Sequence, residues 1–480
     1  MAESVPAPDP PVRVGRRRRP AARRPAADAR EEGQTEQLGR RAVELSRFYA
    51  GKIETVPKVP VRSLHDFSVW YTPGVAAVSR AIHTDRELAF DLTGRWNTVA
   101  IVTDGSRVLG LGDIGPHAAL PVMEGKALLF KFLGGVDAIP LPIEAASPDK
   151  FLSTVEAIAP AFGGINLEDI ASPKCFGLLE ELARRLEIPV WHDDQLGTAA
   201  ATVAGLLNAL EVTGRAMPDI RTVLLGAGAA NLATARLLLA LGQDPARLSL
   251  VDHHGILHAE RDDVDELSVR HPWKYRLALR TNGGGRTGDL ARALEGADVV
   301  VAASTPVPGT LRREHIRAMA PEPIVFALAN PAPEIWPDVA RGAGAAVVAT
   351  GRSDFPNQVN NSLVFPAVFR GVLDARARSV PDEIVLAAAR ELARGAQRKG
   401  VGPLHILPTM EELEVFPHVA AAVADAAVAA GVARRRQSHA EFLQRARTLM
   451  ARPSRLARVL ARAGLTPPMP RGSRGRRRAG

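Results

Sequence analysis

Residues 221–242 read RTVLLGAGAANLATARLLLALG. A short apolar run, 221–225, enters Gly226-Ala227-Gly228-Ala229-Ala230-Asn231, and an apolar helical stretch follows. Gly226 permits the tight turn. Gly228 lets the backbone approach a pyrophosphate at a helix N-terminus, where N–H groups without intrahelical partners attract anions. Ala229 and Ala230 complete the candidate cofactor-binding turn. Asp252 ends the next apolar run, 24 residues after Gly228, about where a carboxylate meets an adenosine ribose. A plain tight turn would not need that acid in register, so the stretch reads as a dinucleotide site. Asn231 holds the third glycine place, where a small residue allows close helix–strand contact, so the helix is expected to stand slightly farther from its sheet. A carboxylate at Asp252 repels a 2′-phosphate and favours NAD. His253 and His254 beside it soften that preference, so both NAD and NADP stay open.

Working outward, apolar runs recur at RLSLVD (247–252), ADVVVAAS (297–304), PIVFALAN (323–330) and AAVVATG (345–351). Continuous apolar runs separated by helical stretches indicate parallel strands buried on both faces, hence a doubly wound α/β sheet. Helices at about 381–398 and 411–430 close this part. Upstream, NTVAIVTDG (97–105), the Gly-rich RVLGLGDIG (107–115) and the helical PVMEGKALLFKFL (121–133) mark a separate α/β region. The expected organisation is a disordered basic arm over 1–35, an α/β domain over 36–200, a Rossmann-like domain with closing helices over 201–430, and a basic tail over 431–480. Within the tail, Leu443, Leu449, Leu456 and Leu460 among arginines predict a helix over 438–463, read as a solvated appendage.

Composition narrows the function classes. Of 480 residues, 46% are hydrophobic and 24% charged, which suits a globular chain and excludes a disordered or fibrous one. No window approaches eighteen uninterrupted apolar residues, so no membrane span is expected. The single cysteine, Cys175, excludes a disulfide framework and a Cys-rich zinc site, and fits a reducing, cytoplasmic setting. The net charge of +9 divides unevenly: 1–30 carries +5, 431–480 carries +13, and the stretch between is acidic at −9. Nucleic-acid binding is therefore not indicated for the body, and only the arms are basic enough for it. The first thirty residues lack the apolar segment of a secretory signal, and their prolines disfavour the amphipathic helix of a transit peptide. Only eight of the 61 basic residues are lysine, so a lysine in an unusual setting stands out.

Two acidic pairs stand apart, Glu168-Asp169 and Asp193-Asp194. Adjacent acids repel, and in apolar surroundings they are costly without a cation. Convergent carboxylates without Cys or a His cluster suit a hard divalent ion, Mg²⁺ or Mn²⁺. Capping of the following helix by Asp193 or Asp194 is the alternative, and it accounts for one acid of the four. Lys126 lies in an apolar helical run. Buried near other cations, a lysine loses its proton and can act as a base, which arginine cannot.

These segments, in order, resemble the malic enzymes: KIETVPKVP (52–60), YTPGVA (71–76), TDGSRVLGLGDIGP (103–116), PVMEGKA (121–127), FGGINLEDI (162–170), HDDQLGTA (192–199), GAGAA (226–230), FALANP (326–331) and GRSDFPNQVNN (351–361). The resemblance covers about 40–430 and is closest to the short bacterial members, which have no phosphotransacetylase-like extension. It implies oxidative decarboxylation of (S)-malate to pyruvate and CO₂ with reduction of NAD or NADP, dependent on Mg²⁺ or Mn²⁺, in a homodimer or larger assembly. By the same resemblance the family's catalytic tyrosine falls on Tyr71, its lysine on Lys126, and its metal ligands on Glu168, Asp169 and Asp194. Asp193 matches the acid that assists proton transfer, and Arg107 an arginine that binds the substrate carboxylate in eukaryotic members. Asn330 and Asn361 match asparagines lining the malate and nicotinamide site, with Asn360 beside them. Leu196 and Trp70 depart from residues common at those places, and neither replaces a group with a chemical role. The rival readings are a 2-hydroxy-acid dehydrogenase that releases no CO₂, and a silent homologue whose basic arms bind nucleic acid.

Overall fold

The computed structural model describes residues 26–108 and 110–470, so most of the basic N-terminal arm and the last ten residues of the basic tail lie outside the described residues. The described residues form two units, 26–51 with 468–470, and 52–467. In the first, a helix spans Ala26–Tyr49, and the Arg41 guanidinium donates to the Pro470 carbonyl. This helix reaches into the arm expected to be disordered. From Ala26 onward the prolines stop and Ala, Glu, Gln, Arg and Leu, all good helix formers, take over.

The second unit holds two sheets. The first contains β1 (Thr98–Thr103), β2 (Asp137–Pro142), β3 (Gly164–Leu167) and β4 (Val190–His192), all parallel in the order β2-β1-β3-β4. Helices Gly115–Gly134, Pro148–Ile158 and Lys174–Arg185 make its crossovers. The second contains β5 (Thr222–Leu225), β6 (Leu248–Asp252), β7 (Gly255–Ile256), β8 (Val299–Ala302), β9 (Ile324–Ala327) and β10 (Val347–Thr350). Its order is β10-β9-β8-β5-β6-β7, parallel except for the antiparallel β6–β7 pair. From β5 the chain winds first to β6 on one side and then to β8 on the other, which makes the end of β5 the topological switch point. Every residue of β5, β8, β9 and β10 is buried, as expected for parallel strands covered on both faces.

The Asp193–Thr213 run is long and apolar enough to cross a membrane by length and composition, and 72% of its apolar window is buried inside the protein. It begins with two acids and packs between the helices Ala229–Ala240 and Asp382–Gln397, as a core helix does.

The helix that follows β10 does not stay with the second sheet. Phe365–Asp374 is buried along its whole length and lies on the helix Gly115–Gly134 of the first sheet, with Phe130 against Phe365 and Phe369 at 4.6 and 5.1 Å between ring centroids. The helix His439–Arg462 matches the span predicted from its leucines, but it is no solvated appendage. Phe442, Ala446 and Met450, four residues apart, form a buried stripe that joins the main core. Its arginines occupy the remaining faces, and Arg445 reaches inward to Asp374 at 2.6 Å.

Candidate active site

Parallel strands deliver their following residues to one edge, and the candidate residues gather there. Glu168 and Asp169 follow β3, and Asp193 and Asp194 follow β4. Successive residues of a strand point to opposite faces. Asp169 breaks that rule by adopting a φ of 52°, a left-handed conformation that Asp tolerates better than most residues. The turn lets two adjacent carboxylates serve one point. Asp193 and Asp194 begin a π-type turn, Asp193–Gly197, that continues into the helix Thr198–Thr213, so neither acts as the helix cap. Such turns occur often at functional sites.

One oxygen from each of Glu168, Asp169 and Asp194 lies within 4.8 Å of the others. That spacing lets the three share one ion at ligand distances of about 2.1–2.4 Å, and an all-oxygen donor set suits Mg²⁺ or Mn²⁺. Asp193 points elsewhere. Lys126, only 7% exposed, donates to Asp193 and lies 2.6 Å from Glu168. Its ammonium also stands 4.3 Å from the centre of the Phe365 ring. Burial works to discharge Lys126, but the Asp193 and Glu168 carboxylates outweigh it and raise its pKa. Burial likewise pushes Glu168, Asp193 and Asp194 above the usual carboxylate range, with Lys126 opposing it in each case.

Alternation along the strands explains the supporting residues. Asn166 shares a face with Glu168 and donates to it at 3.0 Å; Trp191 shares one with Asp193 and donates to its Oδ1 at 3.0 Å. Both could have been found by stepping back two positions from each acid. His192 could not, since nothing marks a buried histidine in one sequence. It is fully buried with neither ring nitrogen in a hydrogen bond, and burial lowers its pKa to about 3, so it stays neutral.

Arg107 is exposed, its N–H donates to the Asp169 carbonyl at 3.0 Å, and its charge favours ionised Asp194. Asn361 approaches Asp193 across Gly197, and Asn330 meets the loop at Gly110. The Asn360 side chain accepts from the Ser362 N–H at 2.9 Å. Tyr71 is 69% exposed, and among the described residues no hydrogen bond or ion pair ties it to Lys126 or the carboxylates.

Gly197 gives a direct test of this packing. A methyl group there would lie 2.1 Å from Asp193 Oδ1 and 3.0 Å from Asn361 Cβ. Asp193 is held by Trp191 and Lys126 and has nowhere to retreat. Gly197→Ala is expected to cost about 1–3 kcal/mol of stability, read by denaturant unfolding, together with most of the activity. Unchanged stability and turnover would mean that Asp193 is free to move.

The second sheet supplies the dinucleotide cradle at its own carboxyl edge. Gly226 has a φ of 95°, and a Cβ there would come within 2.5 Å of the Ala303 carbonyl oxygen. Gly228 precedes the helix Ala229–Ala240, whose first N–H groups face the turn. Asn231, instead of holding the helix away, fastens it: its amide donates to the carbonyls of Leu225, Gly226 and Val301 at 2.9, 2.9 and 3.2 Å. Asp252 is clamped. Arg261 donates to both of its oxygens, the His254 N–H donates to Oδ1, and Lys274 lies 3.3 Å away. Burial pushes its carboxyl up, but these partners prevail and hold it below the usual range.

A switch-point cradle beside a lysine–carboxylate centre defines a dinucleotide-binding α/β enzyme with an acidic edge. Residues 50–148 match the malic enzyme N-terminal domain, and 196–428 the malic enzyme NAD-binding domain. The NAD-dependent malic enzyme of Geobacillus stearothermophilus is 48% identical over 385 residues, 80% of this chain and 78% of that one. The NADP-dependent malic enzyme of Halomonas elongata is 44% identical over 400 residues, 80% of this chain and 92% of its own. The crystal structure of the Entamoeba histolytica malic enzyme superposes with a TM-score of 0.88 at 40% identity, covering 93% of this chain and 94% of that one. The chain belongs to the malic enzyme family.

Proposed function

We propose that this protein oxidatively decarboxylates (S)-malate to pyruvate and CO₂ with reduction of NAD or NADP, in the cytoplasm. Residues 36–200 then form the substrate and metal domain, and 201–430 the dinucleotide domain. The observation that carries this reading is Lys126, buried between Asp193 and Glu168 at the edge of the three-carboxylate cluster.

Glu168, Asp169 and Asp194 would hold a divalent ion, which would supply Lewis-acid stabilisation of negative charge developing on the substrate. Lys126 accepts the C2 hydroxyl proton in the oxidation at C2, for which a bound nicotinamide would be the hydride acceptor. It is held protonated by its two partners, so it must first give up a proton. Asp193, in contact with it and with its own carboxyl pushed upward, is the group placed to take that proton. After CO₂ leaves, Tyr71 protonates C3 of the resulting enol. Arg107, Asn330 and Asn361 hold the substrate, Asn330 and Asn360 also border the nicotinamide, and Gly226, Gly228, Ala229 and Ala230 bind the pyrophosphate.

Assembly of at least two chains fits the surroundings of Tyr71. Val61, Leu64, Phe67, Val69 and Trp70 are exposed just before it, an apolar run that asks for a cover. Malate, Mn²⁺ and each nicotinamide cofactor in one assay test the whole reading, with pyruvate as the expected product. Oxaloacetate accumulating in its place would favour a dehydrogenase that does not decarboxylate.

Asp252 sets the choice of cofactor in this reading. It repels a 2′-phosphate and also occupies Arg261 and Lys274. Asp252→Ser removes the repulsion and releases both cations, and is expected to raise the NADP-to-NAD ratio of kcat/KM at least about tenfold, roughly 1.4 kcal/mol. An unchanged ratio would place Asp252 away from the ribose.

A further inference from the structure

At the far end of β1 from Lys126, guanidinium groups outnumber carboxylates around a small cavity. The cavity measures about 230 Å³ and is lined by Phe90, Asp91, Trp96, Arg376, Arg435 and Arg445 among others. Two carboxylates serve four arginines here. Asp374 accepts two bonds from buried Arg370, at 3.0 and 2.8 Å, and a third from Arg445 at 2.6 Å. Asp91 accepts two bonds from Arg376. Arg435 comes no closer to Asp91 than 3.7 Å, beyond hydrogen-bond reach, and the Nε of Arg376 is buried without an acceptor. Arg434 nearby is already matched by Glu87 and Glu187. Burial depresses the pKa of Arg435, the charges of Arg376 and Arg445 depress it further, and Asp91 and Asp374 offset this only in part.

Aromatic rings set the orientation. The guanidinium of Arg445 lies over Trp96 at 5.2 Å and that of Arg376 over Phe90 at 5.7 Å, which fixes the faces and leaves N–H edges for another partner. None of these residues belongs to the malate or dinucleotide sites.

We propose that this cavity binds a small oxyanion carrying at least two negative charges, through Arg376, Arg435 and Arg445. The charge matches the surplus of two guanidiniums. The volume admits a phosphate or a small polycarboxylate and falls short of what a nucleotide needs. Arginine forks suit both classes of oxygen.

The test is calorimetric titration of the full-length chain with inorganic phosphate and, separately, with tricarballylate. NADP is present at saturation, so that the dinucleotide phosphate positions are filled, in ~150 mM NaCl to suppress loose surface binding. One anion per chain is expected to bind with a Kd of about 1 mM or tighter, weakened at least about tenfold in Arg435→Gln. Arg435→Lys, which keeps the charge and loses the fork, is expected to fall between the two. It guards against loss of folding in the first variant. Binding of phosphate alone assigns a phosphoryl ligand, and of tricarballylate alone a polycarboxylate. Equal affinity in the parent and Arg435→Gln, or no binding of either anion up to about 20 mM, overturns the proposal.

Discussion

Lys126→Arg is expected to fold like the parent, bind NAD(P) like the parent, and oxidise malate about 10²–10⁴ times more slowly. Arginine keeps a positive charge between Glu168 and Asp193, so the buried ion pairs survive in altered form. It cannot surrender its proton, so the base is lost. Lys126→Ala removes both roles. It leaves two buried carboxylates without their cation, at a cost of about 3–5 kcal/mol in stability, in addition to the loss of rate. Comparing the two separates folding from chemistry. Steady-state turnover and cofactor fluorescence titration provide the readings, and near-parental turnover in Lys126→Arg would exclude Lys126 as the base.

Asp194→Asn addresses the metal centre. Of the three clustered acids, Asp194 is the least buried, with 37% of its side chain exposed, so the substitution spares the core. An amide keeps the shape and removes a full charge from an all-oxygen site, where charge governs affinity for a hard ion. Mn²⁺ binding, followed by electron paramagnetic resonance in the absence of substrate, is expected to weaken by about 100-fold or more. Activity should fall with it and recover partly at high Mn²⁺. Parental Mn²⁺ affinity would show that the three carboxylates do not meet on an ion.

Much of the second sheet was legible because its strands are buried on both faces. The runs at 221–226, 247–252, 297–304, 323–330 and 345–351 contain β5, β6, β8, β9 and β10, and the closing helices fall within their predicted spans. Strand order was not legible, since apolar runs carry no record of their neighbours. β2 was hidden by its composition: Asp137–Pro142 reads DAIPLP, with two prolines that a sheet tolerates only at an edge, and it is an edge strand. The acidic pairs marked the centre because repulsion between adjacent charges calls for a reason. Which acids cluster and which one meets the lysine depended on the turns at Asp169 and Asp193, and backbone torsion leaves little trace in residue type. The tail misled for a simple cause. Its arginines dominate the composition, while its buried residues, Phe442, Ala446, Met450 and Pro453, are few and widely spaced.

The docking of His439–Arg462 into the main core bears on biosynthesis. A ribosome completes the four strands of the first sheet by residue 192, but Phe442 and Met450 emerge about 250 residues later. Until then the nascent first layer lacks part of its cover, so its apolar surface waits through most of translation for the segment that seals it.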